Sequence, residues 1–80
     1  MGKGDMGKRM QLVSEVTGTV WKVERSVGDE LAAGDAVVIV ESMKMEIPIE
    51  APCAGKLLEL RCAESEPIQE GQLVAILDVR

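Results

Sequence analysis

The chain contains no histidine, no phenylalanine and no tyrosine, and Trp21 is its one aromatic residue. Without histidine, the Ser-His-Asp and Cys-His nucleophile arrangements and the usual zinc sites fall away. Without a set of aromatic residues, the core must be aliphatic, and the apolar 46% of the 80 residues supplies valine, isoleucine and leucine for it. Cys53 and Cys62 are too few for a disulfide framework and lack paired metal-ligand spacing, so both read as reduced thiols. No apolar run approaches the ~20 residues of a bilayer-spanning helix. The basic N-terminus has no apolar segment behind it, and MGKGDM lacks the Ser or Thr of a myristoylation signal. These absences predict a cytoplasmic protein without membrane contact.

What is present is one small domain with a formal charge of −5. Lys3, Lys8 and Arg9 against Asp5 give the first ten residues +2, which leaves −7 on residues 11–80. An acidic body of this kind repels phosphate backbones and excludes nucleic acid as a partner. Residues 1–9, polar and carrying Gly2, Gly4 and Gly7 without periodicity, read as a flexible tail, with the domain over residues 10–80.

At an offset of 37 the chain repeats itself without a gap: GTVWKVERSVGDELAAGDAVVIVE (18–41) lies over GKLLELRCAESEPIQEGQLVAILD (55–78). Gly18 and Gly34 match Gly55 and Gly71, and Val20, Val23 and Leu31 match Leu57, Leu60 and Ile68. Cys62 aligns with Arg25, which places it near the surface. Cys53 aligns with Val16, which places it under cover. Trp21 aligns with Leu58, which makes packing its role.

Each half reads as short strands joined by turns. Gly28-Asp29 and Gly34-Asp35 are turn signals, with the aspartates as turn residues. The run Ala36-Val37-Val38-Ile39-Val40 suits a strand buried on both sides. Met45, Ile47 and Ile49 alternate with Glu46, Pro48 and Glu50, a half-buried strand with Pro48 at an edge or near an end. Strands this short cannot stand as an open sheet. The fold expected is all-β: two interlocked sheets in a flattened barrel, with an internal pseudo-two-fold repeat.

Between the halves runs VIVESMKMEIPIE (38–50), in which a turn must fall at Met43-Lys44-Met45, where none of the usual turn residues occurs. The equivalent of Lys44 lies one position past the last residue, so the pseudo-two-fold places this turn at the pole opposite the C-terminus. From the residues alone, Lys44 can be a solvated charge and the methionines core filler, with alternation turning Met45 inward. A mismatch between local chemistry and inferred structure is also what functional sites show.

GTVWKV, VGDELAAGD, ESMKMEIPIEAPCAG and EGQLVAIL together resemble the biotinyl/lipoyl attachment domains, most closely the biotin carboxyl carrier domains of biotin-dependent carboxylases, over about residues 10–79. The resemblance implies a flattened barrel-sandwich of two four-stranded antiparallel sheets with Lys44 at an exposed hairpin tip. It implies that a biotin protein ligase attaches biotin to Lys44, that Met43 and Met45 shape the surface recognised, and that Glu41 and Ser42 lead into the turn. The tethered biotin would carry a carboxyl group from a biotin carboxylase to a carboxyltransferase, so the chain would be a non-catalytic carrier, monomeric as an isolated domain. A free lysine amine is protonated at neutral pH (pKa ~10.4), so the ligase must help remove its proton.

The resemblance has departures. Carriers of this family enter the first half through Ala-Pro-Met-Pro-Gly, where this chain has Ser14-Glu15-Val16-Thr17-Gly18. Ser42 stands where the family often has alanine, and five steps from Val23 to Gly28 leave no room for a protruding thumb. Lipoyl domains more often set an acid directly before the lysine, where this chain has Met43. Biotin is therefore favoured over lipoate, with a lipoyl or dual biotin/lipoyl carrier as the alternative. An unmodified interaction module is the rival from another class.

Overall fold

A computed structural model describes residues 8–79. Eight strands follow in order: β1 (Lys8–Val13), β2 (Gly18–Val23), β3 (Glu30–Leu31), β4 (Ala36–Ser42), β5 (Met45–Glu50), β6 (Gly55–Leu60), β7 (Pro67–Ile68) and β8 (Leu73–Val79). They form two four-stranded antiparallel sheets, ordered β1-β8-β6-β3 and β5-β4-β2-β7. A shift of 37 residues carries β1 onto β5, β2 onto β6, β3 onto β7 and β4 onto β8, and so exchanges the two sheets. Each sheet thus holds two strands from each half, which is how the halves interlock. β1 begins at Lys8, and its pairs Lys8–Val79 and Arg9–Asp78 bring two residues read as tail into the sheet. The expected tail otherwise lies outside the described residues.

The core follows the same symmetry. Apart from Gly55, the buried residues among those described form seven repeat pairs: Leu12/Ile49, Ser14/Ala51, Val20/Leu57, Leu31/Ile68, Val37/Val74, Val38/Ala75 and Val40/Leu77. Ser14 is the one polar member, and none is aromatic. Trp21 is 42% exposed, contrary to a packing role, and stacks outside with the Lys22 ammonium 5.6 Å from its ring centre.

Bulges explain why simple alternation misplaces these residues. Register skips Trp21 between the pairs Val20–Val40 and Lys22–Ile39, so Trp21 and Lys22 both lie exposed while Val20 is buried and Val23 packs against the core. It also skips Val37 between Ala36–Glu50 and Val38–Ile49, which puts two successive valines in the core. The β4 run is therefore not buried on both sides: Ile39 is only half-covered.

Four turns share one design. At 26–29, 32–35, 63–66 and 69–72 the fourth residue's N–H donates to the first residue's carbonyl, at 3.0, 3.0, 3.2 and 2.9 Å. The side chains of Asp29, Asp35, Glu66 and Gln72 each accept the N–H of that first residue, at 2.9, 2.9, 3.0 and 3.0 Å. The third residue has positive φ, as in a type II turn: Gly28 at 100°, Gly34 at 92°, Gly71 at 85° and Ser65 at 74°. Ser65 alone among these four carries a Cβ in that region. Ser65→Gly is expected to stabilise the fold by about 0.5 kcal/mol, relief of strain outweighing the added freedom of the unfolded chain. A thermal melt raised by a few degrees checks this, and a lowered midpoint refutes it.

Candidate functional site: the Lys44 hairpin

β4 and β5 pair down to Ser42–Met45, which leaves Met43 and Lys44 as a two-residue loop. Both have positive φ, 52° and 65°. That is the signature of a primed hairpin turn, whose twist matches the strands it joins. For residues with a Cβ it costs roughly 1–2 kcal/mol each, which the paired legs of the hairpin must offset.

The hairpin stands at one pole. β5 leads away from it for six residues to Glu50, and five residues later β6 opens at Gly55, paired with Val79. The end of β8 therefore lies at the opposite pole, as the repeat predicts.

Met43 is 92% exposed and Met45 62%. Met45 does share the inward parity of Ile47 and the buried Ile49, but exposure rises along β5 toward the tip, and Met45 lies beyond the end of the core. It is not core filler. Lys44 is exposed and makes no ion pair among the described residues. Two thioether side chains thus flank an open ammonium.

The base of the hairpin is acidic. Glu41 and Glu46 are both exposed and lie directly opposite each other. Like charges so placed are mildly destabilising. At the other pole Asp78, the repeat mate of Glu41, lies between Arg9 and Lys56.

Ser42 is half-buried, and its Oγ donates to the Thr17 carbonyl at 2.8 Å. Thr17 Oγ1 accepts the Glu70 N–H at 3.0 Å. These contacts join residues 25 and 53 positions apart, and no periodicity in the sequence signals them.

Other candidates lie elsewhere. Cys62 is half-buried and packs against the core, and burial, then the neighbouring Glu66 charge, push its thiol pKa up. Cys53 is likewise half-buried and free. No group of three or more potential ligands could hold a metal among the described residues. An open cleft of about 380 Å³, lined by Glu15, Gly34, Pro48, Glu50, Ala51 and Pro52, includes the end of β5 far from Lys44. No helix among the described residues is long and apolar enough to cross a membrane.

Comparison with known proteins agrees with this geometry. Residues 5–77 match the biotin/lipoyl family, described as "Biotin-requiring enzyme". The biotinylated protein TB7.3 homolog of Mycobacterium leprae is 39% identical over 64 residues, covering 80% of this chain and 90% of that protein. The urea amidolyase of Saccharomyces cerevisiae is 37% identical over 65 residues, covering 81% of this chain but 4% of the enzyme. The crystal structure of Kluyveromyces lactis urea carboxylase superposes with a TM-score of 0.84 at 34% identity, over 96% of this chain and 7% of that one. The match spans nearly the whole of one small relative and a small fraction of two large enzymes. This chain belongs to the biotin/lipoyl attachment domain family.

Proposed function

We propose that this chain is a biotin carrier whose attachment residue is Lys44. The observation that carries the reading is the lysine's position: exposed, free of ion pairs among the described residues, and held at the tip of a two-residue turn on two interlocked four-stranded sheets. An amide link to biotin needs such an amine and little else from the carrier. A biotin protein ligase would bind the pole through the exposed Met43 and Met45, with Glu41 and Ser42 setting the approach to the turn, and would take up the amine's proton. Amide formation would remove one positive charge, moving the formal −5 to −6.

When bound, biotin supplies a site that can take up and release a carboxyl group. The chain's contribution is placement: a tether on the order of 15 Å makes each encounter with an active site nearly intramolecular. Catalysis would reside in biotin carboxylase and carboxyltransferase partners, with the carrier cytoplasmic and monomeric. Support for carboxylase partners comes from the urea carboxylase and urea amidolyase likenesses.

Lipoate is the second reading, because the matching family is named for both groups. Met43 before the lysine and the biotinylated relative favour biotin. Intact mass of the protein from cells separates them, biotin adding about 226 Da and lipoate about 188 Da at an amide bond. We expect the former, on the peptide containing Lys44. Lipoate alone, or a bare Lys44 in cells with an active ligase, overturns the proposal.

A further inference from the structure

The internal repeat supplies a control for every contact at the Lys44 pole. At the opposite pole the equivalents of Ser42, Thr17 and Glu70 are Val79, Ala54 and Ala33, which offer no side-chain hydroxyl. The barrel therefore closes at that pole without the contacts that Ser42 and Thr17 make. At the lysine pole they join three segments: the last residue of β4, the loop between β1 and β2, and the loop between β7 and β8.

The anchor is itself fixed. Ser14, buried at 1% exposure, donates its Oγ to the Val16 carbonyl at 2.6 Å and accepts the Val16 N–H at 3.3 Å. Its N–H also donates to the Gln72 carbonyl, and its carbonyl accepts the Gly71 N–H. The loop over residues 14–17 is thus held by hydroxyl hydrogen bonds, where the equivalent 51–54 segment has Pro52.

The load on this anchor is the turn beside it. Met43 and Lys44, the two residues after Ser42, both have positive φ. Such a turn relaxes unless its surroundings hold it. From these observations we infer that Ser42 and Thr17 are positioning residues for Lys44. Their hydrogen bond fastens the β4 leg of the hairpin to the 14–17 loop and holds the Met43-Lys44 turn in the conformation that the modifying enzyme engages. This rests on the carrier reading. It makes the polar 14–17 loop part of the attachment apparatus rather than a lost proline segment.

Ser42→Ala removes the donor and leaves the rest of the hairpin unchanged. Ser42→Thr restores a hydroxyl, and Thr17→Val breaks only the link to Glu70. Two measurements on the full chain are needed: amide hydrogen exchange at residues 43–45, and steady-state kinetics of a biotin protein ligase acting on the unmodified protein. Loss of one hydrogen bond is expected to speed exchange at residues 43–45 in Ser42→Ala roughly fivefold, with the core amides of Val38 and Ala75 unchanged. The ligase KM should rise roughly two- to fivefold with kcat nearly constant, because only the turn-competent fraction binds. Ser42→Thr should recover both values, and Thr17→Val should fall between. Unchanged exchange at the hairpin, equal acceleration throughout the core, or an unchanged KM in Ser42→Ala overturns the inference. A wild-type chain that the ligase leaves bare defeats the proposed function instead, and the exchange comparison still decides whether the clamp holds the turn.

Discussion

Lys44→Arg is expected to abolish attachment while leaving the barrel intact. Arginine keeps the positive charge and the length, but its guanidinium stays protonated in proteins and supplies no nucleophilic amine. In cells that load the wild-type chain, the variant should keep its unmodified mass. Any carboxyl transfer supported by the carrier should fall by at least about 100-fold, to background. The melting midpoint should stay within about 3 °C, as for a surface substitution away from packing or special contacts. Lys44 is exposed and joins no ion pair among the described residues, so it fits that class. The paired measurements separate function from folding. A variant that keeps its mass unmodified yet still performs the cellular task would show that covalent attachment is not the function, and an interaction module would take its place.

The sequence made the hairpin legible for a particular reason. Lys44 sits at the joint of two gapless repeats, and a pseudo-two-fold turns that joint into a pole. The core was legible because inward positions keep their apolar character from one half to the other, as Val20/Leu57 and Val40/Leu77 do. β1 as the mate of β5 was not. KRMQLV and MEIPIE share inward-parity apolar residues at Met10/Ile47 and Leu12/Ile49, while the intervening positions diverged. The strand owes its start to pairing with β8, a contact across the whole chain.

The bulges at Trp21 and Val37 were hidden for a related reason. A bulge is a relation between two strands, so alternation within one strand misassigns the residues next to it. Met45 shows a third limit. Its parity was read as inward, correctly, but where the core ends along β5 depends on the length of the opposing layer. The Ser42–Thr17 contact was the least legible feature, because a hydroxyl bonded to a backbone carbonyl leaves no trace in composition or spacing.

The largest loss of stability is expected from alanine at the two glycines that open β2 and β6. A Cβ on Gly18 would overlap the Glu41 carbonyl oxygen, and one on Gly55 would lie 2.5 Å from the Asp78 carbonyl oxygen. Both obstacles are backbone atoms of paired central strands, so no side chain can rotate away and a strand must move. Each substitution should cost about 2–4 kcal/mol, a drop of roughly 10–20 °C in a domain of this size. Gly34→Ala is the contrast: its Cβ would meet open space, and only the φ of 92° is strained, so about 1 kcal/mol is expected.

The repeat turns this pair into a test of the pole itself. Gly18 follows Thr17 and abuts Glu41, next to Ser42, whereas Gly55 abuts Asp78 at the terminal pole. Displacing β4 at Glu41 disturbs the clamp and the hairpin, while the same displacement of β8 at Asp78 leaves them in place. Assayed at a temperature where both variants remain folded, Gly18→Ala should slow ligase modification of Lys44 severalfold more than Gly55→Ala, despite similar losses in Tm. Equal slowing would mean that the ligase responds to the stability of the barrel as a whole rather than to the order of one turn.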